Sequence, residues 1–280
     1  MKLLLIALGA LCWGLPATSQ IMHGTIGVVY YTPDKIVVAA ESRLVGGVGS
    51  TLARTNAGCK VTAVKDKVVF VSAGMTRHIG DAGSVGWDNN DEIRGAYSKV
   101  TTAPDRGNLD EIAKEWSSAV AEKFNTDARL NPGLFPWLTS QMRAGESFTV
   151  AYMGGRDKAG NLSLLFMAVT PNASRTLAEG LARPVPACRD HGFCAVGAAI
   201  DTVTEFANAS SERARNEWAR WKPPNGTPQH DYDALKTMRI LELAVQHHTG
   251  NDAGGPIDAV QLNRDGSLHW YARKPICPEN

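Results

Sequence analysis

Four times in this chain, two short, largely apolar runs flank a turn. Residues 25–31 and 35–40 lie either side of Thr32-Pro33-Asp34, and residues 59–64 and 68–72 either side of Lys65-Asp66-Lys67. Residues 148–153 and 162–170 flank a Gly-rich turn at 154–161. Residues 257–262 and 268–273 flank Asn263-Arg264-Asp265-Gly266. Runs of this length, closed by turn-forming residues, read as β-hairpins. Hairpins present apolar faces that need cover, and helical segments grouped between them supply it. The expected class is α+β, with two antiparallel sheets flanked by helices.

The clearest helix begins at Asn108, a side chain suited to an N-cap, and covers 109–124. Ile112, Trp116, Ala119, Val120 and Phe124 recur there at helical spacing. A second helix is expected over 201–221, reached through a short strand or turn at 195–199 and broken by Pro223-Pro224-Asn225-Gly226. A third is expected over 232–248, stopped by Thr249-Gly250. Residues 76–85 read as a weak helix. The Gly-rich stretch 45–58 reads as a mobile loop. Residues 125–145, with Pro132, Gly133 and Pro136, read as a loop pinned by Leu134, Phe135, Trp137 and Leu138.

A length of 280 residues fits one large domain. With 20% charged residues and a formal net charge of +1, nothing in the charge pattern calls for nucleic acid or an anionic membrane as partner. Residues 1–19 differ in kind. Lys2 precedes an apolar run over 3–15, too short to span a bilayer, and Pro16-Ala17-Thr18-Ser19 is small and turn-forming. This is the pattern of a secretory signal, cut near Ser19. Residues 20–24 then form a short propeptide and 25–280 the folded domain, in a secreted or periplasmic protein. Cys12 lies in the signal core, and Leu11 before it is too bulky for a lipidation site.

Four cysteines remain: Cys59, Cys188, Cys194 and Cys277. An even number in an exported chain permits two disulfides. Cys188 and Cys194 can close a small loop, which leaves Cys59 and Cys277 without an assigned meeting. The alternative is a metal site on Cys188, His191 and Cys194, which lacks an evident fourth ligand. His247 and His248 sit where a helix C-terminus favours imidazolium, and they are weaker candidates for metal. Asn161, Asn172, Asn208 and Asn225 open N-x-Ser/Thr triplets, which matter only in a glycosylating host.

Thr25, at the head of the first hairpin and just past Gly24, is the candidate nucleophile. A threonine hydroxyl needs an adjacent base. Cutting the bond before Thr25 would free an α-amine with a pKa of roughly 7.7–8.0, suited to that task. Such a centre also needs a cation, a carboxylate to hold it, and an oxyanion donor. Glu41 lies just past the second strand of the hairpin, so it returns to the end where Thr25 begins. Lys60 opens the next strand. Gly74 ends the one after, where a bare Cα lets a backbone N–H approach a substrate.

Thr25-Ile26-Gly27-Val28-Val29, the run Lys35 through Ala40 with Glu41-Ser42-Arg43, Cys59-Lys60-Val61, and Phe70-Val71-Ser72-Ala73-Gly74 together resemble the N-terminal half of a proteasome β subunit, an N-terminal-nucleophile (Ntn) hydrolase. The separations of 16 residues from Thr25 to Glu41 (41 − 25) and 14 from Lys60 to Gly74 (74 − 60) are similar to that family's. Gly250-Asn251-Asp252-Ala253-Gly254-Gly255 resembles its late loop, with Asp252 before paired glycines. The resemblance implies a four-layer αββα sandwich and a threonine-type peptidase or amidase that frees its own Thr25 by cleavage at Gly24. It would need no cofactor or metal. Thr25 would be nucleophile and base, Lys60 the cation, Glu41 its carboxylate and Gly74 the oxyanion donor, with Ser42, Arg43 and Asp252 in support. The substrate would be a peptide or small amide, and a homo-oligomer is expected only by analogy. The chain departs from the family in three places. Glu41 replaces an aspartate, Gly197-Ala198-Ala199 lacks a serine, and the late loop is shorter with Ala253 for serine. The alternative is a non-catalytic subunit or binding module that keeps the fold.

Overall fold

The computed structural model describes residues 20–23, 25–46, 53–56, 58–79, 85–101, 108–130, 132–142, 146–250 and 253–277. Residues 1–19, expected to form a signal, and Gly24 lie outside them. The chain opens with β1 (Gln20–His23), β2 (Ile26–Tyr31) and β3 (Lys35–Glu41). Thr32 closes the β2–β3 turn, where its Oγ1 accepts the Lys35 N–H at 3.3 Å. Short strands β4 (Leu44–Gly46) and β5 (Ala53–Thr55) follow, then the hairpin β6 (Val61–Val64) and β7 (Val68–Gly74). Its turn places Lys65 and Asp66 at φ of 50° and 52°, the left-handed pair that suits a tight hairpin.

Next come β8 (Arg77–Ile79), β9 (Val85–Asp88), α1 (Asn89–Thr101), α2 (Leu109–Leu130) and α3 (Leu134–Gln141). Asn108 caps α2 as expected, its Oδ1 accepting the Glu111 N–H at 2.8 Å. The strands β10 (Thr149–Arg156), β11 (Leu162–Pro171), β12 (Ala178–Val185) and β13 (Phe193–Gly197) precede α4 (Ile200–Asn208), α5 (Glu212–Arg220) and α6 (Tyr232–His247). The hairpin β14 (Ile257–Asn263) and β15 (Leu268–Ala272) follows.

Two five-stranded antiparallel sheets carry the fold, in the orders β13-β2-β3-β14-β15 and β12-β11-β10-β7-β6. Both faces of β2 and β3 are covered, so the strands read as nearly unbroken apolar runs. Val29, Ile36 and Val38 meet Val69, Val71 and Leu164 between the sheets. On the outer face of the first sheet, Val28 and Ala39 pack with Phe206 and Leu241 of α4 and α6. On that of the second, Phe70 and Met153 pack with Trp116 and Phe124 of α2. Alternate side chains of one strand therefore serve two cores. A third sheet of short strands, β5-β4-β1-β8-β9, lies beyond these two.

The sequence reading needs correction in several elements. The expected helix over 76–85 is absent: Arg77–Ile79 and Val85–Asp88 are strands, joined to β1 through β8, and residues 80–84 lie outside the description. The helix starts later, at Asn89, where Asp88 Oδ1 accepts the Asn90 N–H at 2.8 Å. The expected loop over 125–145 is largely helical, since α2 runs on to Leu130 and α3 follows. Pro136 sits in the first turn of α3, where a missing N–H costs no helical bond. The single helix expected over 201–221 is two, because Ala209 turns left-handed (φ 48°) and Ser211 caps a new start by accepting the Ala214 N–H. β12 was not expected. It is an edge strand whose exposed Glu179, Gly180 and Arg183 break the apolar alternation. Of the Gly-rich stretch 45–58, the described parts include β4 and β5.

Candidate active site

The β2–β3 ladder pairs Gly27 with Ala40, which sets Glu41 beside the start of β2. There Glu41 Oε1 accepts the Ile26 N–H at 2.9 Å and the Lys60 ammonium at 2.7 Å. Oε2 accepts the N–H groups of Arg43 at 2.6 Å and Gly254 at 2.9 Å. Lys60 Nζ also donates to the Arg43 carbonyl. Glu41 is 0% exposed and Lys60 2%. The Glu41–Lys60 pair is therefore no surface ion pair. An ion pair this deep loses several kcal/mol per ion in hydration, which attraction offsets only with good geometry and further hydrogen bonds. Both conditions are met at Glu41, whose two oxygens take four donors.

Ser42 and Arg43 bind the late loop. The Ser42 N–H donates to Gly254 O at 3.2 Å, and its buried Oγ has no hydrogen-bond partner among the described residues. Arg43 Nη1 donates to Ala253 O at 2.8 Å, and its Nε to Asn56 Oδ1 at 3.2 Å. Asn56 is a member of this cluster that sequence reasoning missed. It lies in the Gly-rich stretch, where no pattern marks one residue above another. Asp252 lies outside the described residues.

Thr25 is buried against the turn after β13. Its carbonyl accepts the Ala198 N–H at 2.8 Å. Gly197 sits at φ +88°, and a Cβ there would lie 2.1 Å from Thr25 O. The Gly197-Ala198-Ala199 turn thus holds Thr25 through its backbone, without the serine the sequence lacks. That same Cβ would lie 2.8 Å from Ala73, which brings the end of β7 alongside. Gly74, at φ +86°, closes β7. The Met75 N–H donates to Phe148 O at 2.8 Å. Donors alternate along a strand, so the Gly74 N–H points to the opposite edge of β7, on the side where β6 begins only at Val61. Thr25, Glu41, Ser42, Arg43, Lys60 and Gly74 therefore gather at one end of the two sheets.

Gln20–His23, upstream of Thr25, are held as a strand. β1 runs between β4 and β8, antiparallel to both, with Met22 opposite Gly46 on one side and Arg77 on the other.

Cys188 joins Cys194 and Cys59 joins Cys277. Cys188 and Cys194 are thus not a thiolate pair for a metal with His191. Among the described residues no group of three His, Cys, Asp or Glu side chains could hold a metal ion. His247 stacks on Phe206.

Compared with protein-family models and with curated proteins, the chain matches none.

Proposed function

We propose that this chain is the precursor of an exported, threonine-type Ntn hydrolase with a four-layer αββα fold, acting on peptide or amide bonds. One observation carries the reading: a single carboxylate oxygen of Glu41 holds both the Lys60 ammonium and the N–H of Ile26, the residue after Thr25. A buried cation is thereby tied, through Glu41, to the backbone of the residue after Thr25. Helices on the outer face of each sheet agree with the αββα order. Two disulfides agree with an oxidising compartment.

The chemistry has two stages. In maturation, Thr25 Oγ attacks the Gly24 carbonyl carbon, the C–N bond to Thr25 breaks, and water hydrolyses the resulting ester. This leaves Thr25 with a free α-amine. In turnover that amine takes the Oγ proton as Oγ attacks a substrate carbonyl. The oxyanion points at the Gly74 N–H, the proton passes to the leaving amine, and water cleaves the acyl-enzyme. Lys60 favours the neutral amine over the ammonium, since like charges repel. The seat of β1 between two antiparallel neighbours supports an extended peptide as the preferred substrate.

Intact mass of the purified protein tests the reading. The expected mature chain begins at Thr25, and Thr25→Ala retains the residues before it. A wild-type chain that still begins near Gln20 would sink the mechanism. It would favour the second reading, a non-catalytic relative, to which the alanines at 198 and 253 lend support.

A further inference from the structure

We propose that Asn89 and Asn90, the first residues of α1, are positioning residues that set the two halves of this centre, Asn89 the oxyanion donor and Asn90 the lysine. The inference rests on the reading of Thr25 as nucleophile.

Neither side chain is needed to start the helix, because Asp88 Oδ1 already accepts the Asn90 N–H. Both asparagines are buried under the second sheet, 0% and 8% exposed. They reach in different directions. Asn89 Nδ2 donates to Thr149 Oγ1 at 3.0 Å, and Thr149 Oγ1 donates to Ala73 O at 3.0 Å. The Asn89 Nδ2 also lies 3.4 Å from Met75 O, and its N–H donates to Thr76 O at 3.0 Å. The carbonyls on both sides of Gly74 are thereby held. Ala73 O and the Gly74 N–H belong to one planar peptide and point in opposite directions. Fixing that oxygen from the helix side aims the N–H at the other.

Asn90 does the same for the lysine. Its Nδ2 donates to Cys59 O, and its Oδ1 accepts from Thr62 Oγ1 at 2.6 Å. The Cys59 carbonyl and the Lys60 N–H share a peptide, so the backbone of Lys60 is set on the far side of this bond. The helix start is thus a two-pronged gauge between Gly74, the last residue of β7, and Lys60, the residue before β6. A misplacement of about 1 Å in such a centre costs about a hundredfold in rate.

The two prongs make different predictions for two electrophiles. A β-lactone is opened by Thr25 Oγ at its carbonyl carbon: the C–Oγ bond forms, the ring C–O bond breaks, and the Oγ proton passes through the α-amine to the released alkoxide. Charge develops on the carbonyl oxygen, so an oxyanion donor is required. A vinyl sulfone takes Oγ at its terminal alkene carbon and the proton at the carbon beside sulfur, and no carbonyl oxyanion forms. Both adducts are read by mass on the chain that has matured to Thr25.

In Asn89→Ala and Thr149→Val, β-lactone acylation should fall by about tenfold or more while vinyl sulfone addition changes by less than about threefold. In Asn90→Ala both rates should fall, and the pH midpoint of vinyl sulfone addition should rise as Lys60 moves off the amine. Trp116→Phe, which deletes the indole N–H bond to Asn89 O, controls for plain damage to α1. It should lower the melting temperature and keep the ratio of the two rates. An unchanged ratio in Asn89→Ala and Thr149→Val, or an equal change in Trp116→Phe, overturns the positioning role. A wild-type chain that takes neither probe at Thr25 overturns the proposed function itself, and this role with it.

Discussion

The ammonium of Lys60 lies 2.7 Å from Oε1 of Glu41, with both side chains sealed from water. Removing one member leaves the other charge buried. Lys60→Met should therefore cost about 3–5 kcal/mol of stability, read from urea denaturation. It should also abolish maturation at Thr25, read by mass. Maturation that proceeds normally in this variant would remove the lysine from the mechanism.

Under the proposed mechanism the pH dependence of hydrolysis follows from the base: the Thr25 amine would have to be neutral to accept the Oγ proton, so the rate should rise with pH and level off. The midpoint should fall at or below roughly 7.7–8.0, because the Lys60 cation opposes a second positive charge nearby. Rate–pH profiles of the mature chain on a fluorogenic amide check this. A profile that falls across the same range excludes an amine base.

Gly197 bears on Thr25 directly. Alanine there combines a strained φ of +88° with a Cβ 2.1 Å from Thr25 O. Gly197→Ala should cost on the order of 3 kcal/mol and misplace Thr25. Gly160 has a similar φ of +84° and nothing within 4 Å of an added Cβ. Gly160→Ala should cost about 1 kcal/mol, the conformational part alone. Equal costs for the two, by denaturation midpoint, would refute the steric account.

The disulfides should differ in weight. Cys59–Cys277 spans 218 residues and Cys188–Cys194 spans 6. Loop-closure entropy assigns about 5 kcal/mol to the first and about 2 kcal/mol to the second. Paired Cys→Ala variants, compared by melting temperature, should preserve that order. Loss of the long-range bridge also frees the residue next to Lys60, so it should slow maturation more.

Acid should weaken the α4–α5 corner. The hydrogen bond from Arg213, aided by Ser211, holds the Glu205 carboxyl below its usual pKa, against a smaller opposing effect of burial. A depressed carboxyl stabilises the fold above its unfolded pKa, and that contribution is lost as pH falls through the folded one. Wild type and Glu205→Gln should thus differ in melting temperature near neutral pH, and the difference should shrink as the pH falls below the ordinary carboxylate range. A difference that persists in acid would point to packing instead.

The hairpins were legible because each is a local object: two short apolar runs, a turn between them, and a partner within a few residues. So was α2, which has a cap and a full apolar stripe. β12 and α3 were not. The first mixes charged, small and apolar residues without alternation at its exposed positions and becomes a strand through its ladder with β11. The second carries a proline that reads as a breaker until the helix start is placed before it. At the candidate site, Thr25, Glu41, Lys60 and Gly74 were legible from type and spacing. Asn56, Asn89 and Asn90 were not, since asparagine is common in turns and at helix starts, and nothing local marks these three.

By itself the sequence determined the antiparallel hairpins, the start of α2 and which residue types the candidate site has to draw on. Those depend on side-chain period, turn chemistry and residue type, all local properties. Only the tertiary structure decided that Glu41 would bind Lys60, Ile26 and Gly254 at once, that Cys59 would meet Cys277, and that β1 would lie between β4 and β8. Each of these is a contact between segments distant in sequence. It exists because packing two sheets face to face brings their ends together, and no local pattern encodes which ends will meet.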